Sequence, residues 1–188
     1  HGKRQFHFEY EDLAVVVRIA IESFQVNAEA QGFTLVTDIR EPLPELKMDA
    51  DAIFQVILNL LNNALKFSDK EKKIWIRAYR QKASVIIEVE DHGIGIPAGE
   101  KAKIFKDFYR VDQRLNTEAQ GGLGLGLTLA QDIVQAHHGN ITVDSEVGKG
   151  SIFRVILPVQ ETGTLDDPGE IPLKRPTINS QQAEQQVS

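Results

Sequence analysis

Four polar residues recur within one largely apolar segment of the 188-residue chain, at positions Gln55, Asn59, Asn63 and Lys66. Their offsets of 0, 4, 8 and 11 place them on one narrow stripe of a helix with about 3.6 residues per turn. One interpretation is that the stripe is the solvated face of an amphipathic helix. The other is that it is a binding site, because asparagines are poor helix formers and their use here needs another reason. An amide oxygen suits Mg²⁺, and a lysine one turn later suits the phosphates that such a metal accompanies.

A second motif, DHGIGI at 91–96, directly follows a β-rich run. A carboxylate at a strand end, here Asp91, can accept a hydrogen bond from an exocyclic amine, and Gly93 and Gly95 let a flat ring approach the backbone closely. The same letters also describe an ordinary aspartate–glycine turn. Taken alone, the motif does not decide between a base-binding turn and a structural one.

Glycines dominate a third motif, GGLGLGLT at 121–128, which runs into a helical pattern. Glycine destabilises a helix, so its repeated use at a helix start needs a reason. Backbone amides at a helix N-terminus form an anion site that suits a di- or triphosphate, and a flexible hinge is the alternative. The spacing matches neither the Walker P-loop nor the Rossmann fingerprint.

A fourth segment, IFKDFYR at 104–110, lies between the second and third motifs and precedes the polar stretch 112–120. Two phenylalanines three residues apart, Phe105 and Phe108, most often pack into the core from a short helix. A long polar stretch without apolar anchors is usually functional or disordered. We therefore expect a mobile lid at 112–120.

Hydrophobic periodicity predicts the elements that position these motifs. A half-buried strand is expected at 6–10, and Asp12 is expected to cap a helix that stops near Gly32. Further strands are predicted at 34–39, 73–80, 84–91, 141–144 and 151–157, and further helices at 49–67 and 125–138. Strands and helices do not alternate strictly. We therefore predict an α/β (α+β) two-layer sandwich, in which helices cover one face of a mixed β-sheet.

The composition limits the kind of protein. An apolar fraction of 41% is enough for one core, while a net charge of −6 argues against a general electrostatic grip on nucleic acid. The absence of cysteine excludes disulfides and thiolate chemistry, and no apolar run approaches the roughly 18 residues of a membrane span. We expect a domain at 1–160, a disordered tail at 161–188, and a fragment of a longer protein, because the chain begins with His1.

In their order along the chain, these motifs resemble the catalytic ATP-binding domain of two-component sensor histidine kinases. NLLNNALKF resembles the N box, DHGIGI the G1 box, FKDF the F box and GGLGLGL the G2 box, and GKGSIFRVILP is similar to the closing strand. The resemblance covers about 6–158. It implies the Bergerat fold of the GHKL superfamily, with ATP and Mg²⁺ bound between the helices and the sheet.

The resemblance also implies roles for individual residues. Asn63 would be the Mg²⁺ ligand, Asn59 and Lys66 would act with it at the phosphates as the catalytic set, and Asp91 would receive the adenine amino group. The remaining ATP-binding residues implied are Gly93, Gly95, Ile96, Phe105, Phe108, Gly122, Leu123, Gly124, Leu125, Gly126 and Thr128. His92 stands where the family often has Asn, Thr or Ser, and we expect it to lie at the rim.

The implied activity is that of a protein-histidine kinase. None of the five histidines lies in the family's acceptor context, so we expect the acceptor on a separate upstream dimerisation and phosphoacceptor domain. That domain and a response regulator are the implied partners, with no nucleic acid and no direct membrane contact by this fragment. The full-length protein would be a homodimer with this domain in the cytoplasm, whether or not upstream segments anchor it in the inner membrane.

Two other activities remain open. A hydrolysing ATPase resembling the Hsp90, MutL and gyrase groups would carry a glutamate four residues before the magnesium asparagine, and Asn59 occupies that position. An amide cannot act as a general base at ordinary pH. A non-catalytic nucleotide-sensing module would only bind a partner, and the set of Asn63, Lys66 and Asp91 argues against it. A phosphotransfer assay decides between them.

Overall fold

The computed structural model describes residues 5–68, 71–106 and 125–160. Their helices are α1 (Leu13–Ala30), α2 (Ala50–Phe67) and α3 (Gly126–Ala136), with a short 3₁₀ turn at Ala98–Glu100. Their strands are β1 (Glu9–Asp12), β2 (Thr34–Ile39), β3 (Glu45–Met48), β4 (Lys73–Gln81), β5 (Ser84–Asp91), β6 (Asn140–Glu146) and β7 (Gly150–Pro158). None of these described helices is both long and apolar enough to cross a bilayer.

The main sheet has five strands in the order β2-β4-β5-β7-β6. Strand β2 pairs with β4 in parallel, whereas the other three pairings are antiparallel. A separate two-stranded sheet joins β1 to β3. The predicted class, a mixed sheet with helices on one face, is confirmed.

Helix α2 lies at the centre of the helix layer, where it packs between α1 and α3 and against β4 and β5. Its apolar side is fully shielded from solvent, with Ile53, Ile57, Leu60 and Leu61 all inaccessible. Strands β4, β5 and β7 contribute every second residue to this core, for example Val85, Ile87 and Val89 of β5. The truncation of one such leucine to alanine would cost about 2 to 5 kcal/mol. The core therefore fixes the rotation of α2 and with it the direction of the polar stripe.

The other face of the sheet is held together by charged rows. Glu88 of β5 is only 8% exposed. Arg154 of β7 donates to Glu88 with Nε 2.5 Å from Oε2, and Nη1 of Arg77 of β4 lies 3.8 Å from Oε1. A nearly buried carboxylate needs such partners because an unpaired charge there would be strongly destabilising.

The local helix signals read from the sequence are confirmed. Asp12 caps α1, because its Oδ1 accepts from the Ala14 amide at 2.8 Å, and α1 ends just before Gly32, which adopts φ +77°. Asp49, the predicted start of the second helix, was not identified as a cap, and it caps α2 by accepting from the Ala52 amide at 2.9 Å. The signals at Asp12 and Gly32 act within a few residues, so the sequence was sufficient to predict them.

The strand predicted at 6–10 is wrong in its bounds. The ordered strand begins at Glu9 because its partner β3 has only four residues, confined between Pro44 and the cap residue Asp49. The preceding aromatic rings pack on His137 instead, with the ring centre of Phe8 at 4.9 Å. Strand β3 itself lies in a segment that the sequence analysis did not assign to a strand. The domain boundary at 160 stays a prediction because 161–188 lie outside the described residues.

Candidate functional site

The polar stripe of α2 forms as its spacing predicts. All four of its side chains are partly buried, on the side of the helix away from the core. The neighbouring Asn62 is exposed and donates from Nδ2 to the Leu58 carbonyl at 2.8 Å. Helix α2 contains three asparagines. Asn59 and Asn63 belong to the stripe, and Asn62 bonds to its own helix.

Asn59 joins the stripe to the start of α3. Its Nδ2 donates to the Gly126 carbonyl at 3.2 Å, and its Oδ1 accepts from Gln55 Nε2 at 3.1 Å. Gly126 is the last glycine of the third motif and the first residue of α3. The structure thus brings the first and third motifs together, although they are more than sixty residues apart in the sequence.

Asn63 and Lys66 continue the stripe toward the end of α2. Among the described residues, the Asn63 amide has no hydrogen-bond partner, so both its oxygen and its nitrogen can meet a ligand. The Nζ of Lys66 lies 5.1 Å from the ring centre of Phe67. A neutral amide oxygen and an ammonium one turn apart are suitable for a hard cation and a phosphate.

Asp91 is the last residue of β5, and only 4% of its surface is exposed. Burial raises the pKa of its carboxyl from 3.8 to about 6, although the backbone amides of Gly93 and Ser151 donate to the carboxylate and act in the opposite direction. The amide of Gly93 is 2.9 Å from Oδ1. The ionised carboxylate is therefore dominant at neutral pH but costly, and a ligand amine that donates to it would repay part of that cost.

The glycines after Asp91 are required by close packing of the backbone. A Cβ on Gly93 would lie 2.0 Å from the carbonyl oxygen of Phe67, at the end of α2. Gly95 has φ +69°, and a Cβ there would lie 2.1 Å from the carbonyl oxygen of Glu146, at the end of β6. The turn 91–96 is therefore wedged between α2 and β6, which gives both glycines a reason beyond the approach of a flat ring.

The first turn of α3 has the character of an anion site. Leu125 precedes the helix and provides no side-chain cap to its amides, so within the described residues their hydrogen-bonding capacity is left for a ligand. The Oγ1 of Thr128 is buried and has no hydrogen-bond partner in the described part of the chain. A buried hydroxyl without a partner is costly, and a phosphate oxygen would satisfy it.

The other predicted site residues divide into two groups. Ile96 and Phe105 are half-buried and pack against the core. Phe108, Gly122, Leu123 and Gly124 lie outside the described residues, as does the expected lid at 112–120. Their roles therefore stay predictions.

His92 has partners that the sequence analysis missed. Its Nδ1 lies 2.6 Å from Glu71 Oε2 and its Nε2 3.2 Å from Glu90 Oε1, while its ring centre is 4.5 Å from that of Trp75. The hydrogen bond with Glu71 raises the pKa of His92 above 6.5, with a smaller contribution from Glu90. Glu90 could have been found, because side chains two apart in a strand share a face, whereas Glu71 belongs to another segment.

An open groove of about 400 Å³ lies on the sheet side of this turn and is lined by Glu90, His92, Lys101, Asp144 and Lys149 among others. Its lining includes Asp91 but no residue of α2. The site defined by the polar stripe is therefore a different part of the surface, between α2, α3 and the turn 91–96.

The chain matches the family described as histidine kinase-, DNA gyrase B-, and HSP90-like ATPase over residues 48–161. It belongs to this family. The sensor protein KinB for alginate biosynthesis of Pseudomonas aeruginosa is 39% identical over 148 residues, 79% of this chain and 24% of KinB. The histidine-protein kinase ArlS of Staphylococcus aureus is 42% identical over 121 residues, 64% of this chain and 27% of ArlS. The chain thus spans about a quarter of the length of these relatives.

Solved structures agree with this assignment. The crystal structure of full-length ShkA in complex with AMPPNP has a TM-score of 0.72 at 26% identity and covers 82% of this chain and 32% of that one. The nucleotide-free catalytic domain of histidine kinase ThkA has a TM-score of 0.70 at 25% identity and covers 81% and 96%. The resemblance stated from the motifs is confirmed: the chain is a histidine kinase-type ATPase domain, homologous to the catalytic domains of two-component sensor kinases.

Proposed function

We propose that this domain binds Mg·ATP and presents its γ-phosphate to a histidine on a separate dimerisation and phosphoacceptor domain of the same protein. The observation that carries the proposal is the way α2 joins the three motifs: Asn59 bonds to Gly126, and Phe67 contacts Gly93. The two contacts are eight positions apart along the helix, a distance of about 12 Å. That span has room for a base at one end and phosphates at the other.

The polar groups at the two ends fit the parts of ATP. Asp91 offers a buried carboxylate to the amino group of adenine. The uncapped first turn of α3 and the Thr128 hydroxyl offer donors to phosphate oxygens. Asn63 and Lys66 offer an amide oxygen to Mg²⁺ and a positive charge to the phosphates. When bound, Mg·ATP supplies the phosphoryl group and part of the neutralising charge.

Positioning is the main contribution of this chain to the transfer. Phosphoryl transfer depends on in-line alignment and on stabilisation of charge. Lys66 and the α3 amides would hold the phosphates in place, and Asp91 would fix the opposite end of the nucleotide. The acceptor imidazole, on the other domain, is the nucleophile. A response regulator would then receive the phosphoryl group, as in the two-component systems of the relatives.

Hydrolysis is the less favoured activity because no base is available at the position where hydrolytic relatives need one. Asn59 is an amide, and both ends of that amide are engaged, by Gln55 and by Gly126. It can neither take a proton from water at ordinary pH nor reach a new partner without breaking these bonds. We therefore expect slow ATP hydrolysis by the isolated domain.

Transfer of label from γ-labelled ATP tests the proposal. The domain alone should label itself negligibly, and addition of its own upstream helical domain, expressed separately, should produce an acid-labile, base-stable phosphohistidine there. The rate should increase with concentration, since the native linker no longer supplies a high effective concentration. Asn63→Ala should abolish transfer, whereas Asn62→Ala, on the exposed side of α2, should retain it.

The other results identify the alternatives. Rapid turnover of ATP by the isolated domain would favour a hydrolysing ATPase. Tight nucleotide binding without transfer, even at high concentrations of both domains, would favour a nucleotide-sensing module. Equal transfer by Asn63→Ala and the wild type would remove Asn63 from the proposed machinery.

A further inference from the structure

Gln55 is the member of the polar stripe to which the proposed function assigns no role. It lies one helical turn before Asn59, and its Nε2 is 3.1 Å from Asn59 Oδ1. Both side chains are partly buried, so water competes for their hydrogen bonds less than it would at the open surface.

The chemistry of the Gly126 carbonyl decides how the Asn59 amide must face. A carbonyl oxygen only accepts hydrogen bonds, so Asn59 must present its nitrogen to Gly126, as the 3.2 Å contact shows. The oxygen of the same amide then faces the other way and needs a donor. The side-chain amide of Gln55 is the donor that meets it.

We propose that Gln55 is a positioning residue for the phosphates, which acts by fixing the orientation of the Asn59 amide. This inference rests on the proposed function. Without the Gln55 donor, the Asn59 amide can turn over and place its oxygen against the Gly126 carbonyl, where two acceptors repel each other. The first turn of α3 would then lose this hydrogen bond to α2.

The effect should be confined to the phosphate end of the site. Gly126 and Thr128 belong to the first turn of α3, whereas the turn 91–96 is held independently by the backbone of Phe67 and Glu146. A loss of the Gln55 donor should therefore weaken the binding of a nucleotide with phosphates and leave the binding of the nucleoside unchanged.

Calorimetry with two ligands tests the inference. The four forms of the chain are the wild type, Gln55→Met, Asn59→Ala and the variant with both substitutions. Gln55→Met keeps the length of the side chain and removes the donor. The ligands are AMPPNP with Mg²⁺, and adenosine. We expect Gln55→Met to weaken AMPPNP binding about 3- to 10-fold, the range for one lost hydrogen bond, with less than about a twofold change for adenosine. In an Asn59→Ala background, the same substitution should have almost no further effect, because residues that act through each other are not additive.

Gln25→Met is the matched control. Gln25 also donates one turn ahead on a helix, to Glu29 at 2.7 Å, but it lies on α1 and is exposed. It should change neither affinity. Gln55→Leu repeats the test with a different side chain and is used alone if Gln55→Met lowers the unfolding temperature.

Three results would overturn the inference. They are equal losses for adenosine and AMPPNP, an undiminished loss in the Asn59→Ala background, and no loss at all in either Gln55 variant. A wild-type chain that does not bind AMPPNP would overturn the proposed function together with this inference. If the wild type binds AMPPNP and the Gln55 variants bind it equally well, this inference alone is overturned.

Discussion

The two ends of the candidate site are held by different kinds of contact. At the base end, Gly93 and Gly95 place the turn 91–96 against the carbonyl groups of Phe67 and Glu146, with no space for a side chain. At the phosphate end, the amide of Asn59 reaches across to α3 through a single hydrogen bond of 3.2 Å. The first is a packing of backbone on backbone and the second is a contact through one side chain.

This difference predicts how each end responds to change. A side chain added at the base end would clash with backbone, and the close-packed interior leaves no space to relieve the clash. Substitution there should therefore lower both the stability of the fold and the affinity for the ligand. A side-chain hydrogen bond contributes about 1 kcal/mol. Its loss should therefore weaken ligand binding moderately, while the domain remains folded.

Gly93→Ala should be the most damaging change at the base end. Its Cβ would lie 2.0 Å from the Phe67 carbonyl oxygen, and the obstacle is backbone. Gly93 does not have a positive φ, so the cost is entirely one of space. We expect the free energy of unfolding to fall by about 3 kcal/mol or more, at the upper end of overpacking, with a loss of ADP binding. Urea denaturation and calorimetry measure the two effects.

Gly99→Ala is the control for Gly93→Ala. A Cβ at Gly99 would meet nothing within 4 Å, so stability and ADP affinity should both remain close to the wild-type values. A Gly93→Ala variant that is as stable as Gly99→Ala would show that the base end is not held by this contact.

Asp91→Asn should separate binding from stability. The amide oxygen of the new side chain can still accept from the Gly93 amide, so the turn should persist. It cannot form a charge-assisted bond with the adenine amine, and we expect ADP binding to weaken by about 1.5 to 3 kcal/mol, as measured by calorimetry at pH 7.5. Wild-type affinity should also fall as the pH decreases through about 6, where Asp91 takes up a proton. If Asp91→Asn binds ADP as tightly as the wild type does, the proposed contact with the base is wrong.

The same variant should become relatively more stable as the pH rises. The pKa of Asp91 is raised on folding from 3.8 to about 6, so the folded state holds this proton more tightly than the unfolded state. That contribution to stability is complete below pH 3.8 and is lost as the pH rises through about 6. Asn does not titrate. The unfolding free energy of Asp91→Asn, relative to wild type, should therefore increase by up to about 3 kcal/mol between pH 4 and 7. A constant difference across this range would contradict the raised pKa.

Asn63→Ala tests the phosphate end. Its amide has no hydrogen-bond partner among the described residues, so its removal should change the unfolding free energy by less than about 0.5 kcal/mol. If Asn63 binds Mg²⁺ as proposed, the variant should lose about 1 to 1.5 kcal/mol of ATP affinity in magnesium and much less in EDTA.

Asn62→Ala is the neighbouring control for Asn63→Ala, since the Asn62 side chain, within the described residues, bonds only to the Leu58 carbonyl of its own helix. It should bind ATP as the wild type does in both buffers. Equal losses of Asn63→Ala with and without magnesium would leave Asn63 a structural residue.

The predictable parts of the molecule are those set by local sequence. The cap residue Asp12 and the polar stripe of α2 depend on neighbours within a few turns, and both lie where the sequence predicts them. The pairing of β1 with β3 was missed because it joins segments more than thirty residues apart and because β3 has four residues. Such a short strand has too few alternating positions to be recognised.

The same distinction applies within the site. The motif DHGIGI predicts a turn after a strand, and the turn is there. The reason for its glycines lies in Phe67 and Glu146, and no pattern within the motif names those two residues. The bond from Asn59 to Gly126 likewise joins two motifs that can be recognised in the sequence. Their contact could not be predicted, because it depends on how α3 packs against α2.

His92→Gln should have the smallest effect and shows where the base end stops. Each ring nitrogen of His92 faces a carboxylate, Glu71 or Glu90, and only the protonated ring can donate to both. These carboxylates have other cations as well: Lys73 lies 3.3 Å from Glu71 and Arg77 lies 2.6 Å from Glu90. The side chain of His92 is 37% exposed, so solvent screening should keep the contribution of this bridge to stability small.

The sign of this effect follows from the raised pKa of His92. A proton held more tightly in the folded state stabilises fully below pH 6.5, and that stability is lost as the pH rises above it. His92→Gln should therefore be less stable than the wild type at pH 6 and equal to it at pH 9, with a smaller difference in 0.5 M salt. ADP affinity at pH 7.5 should not change, because His92 and the groove beside it lie on the sheet side of the turn. A His92→Gln variant that loses ADP affinity as Asp91→Asn does would extend the base end to include this histidine.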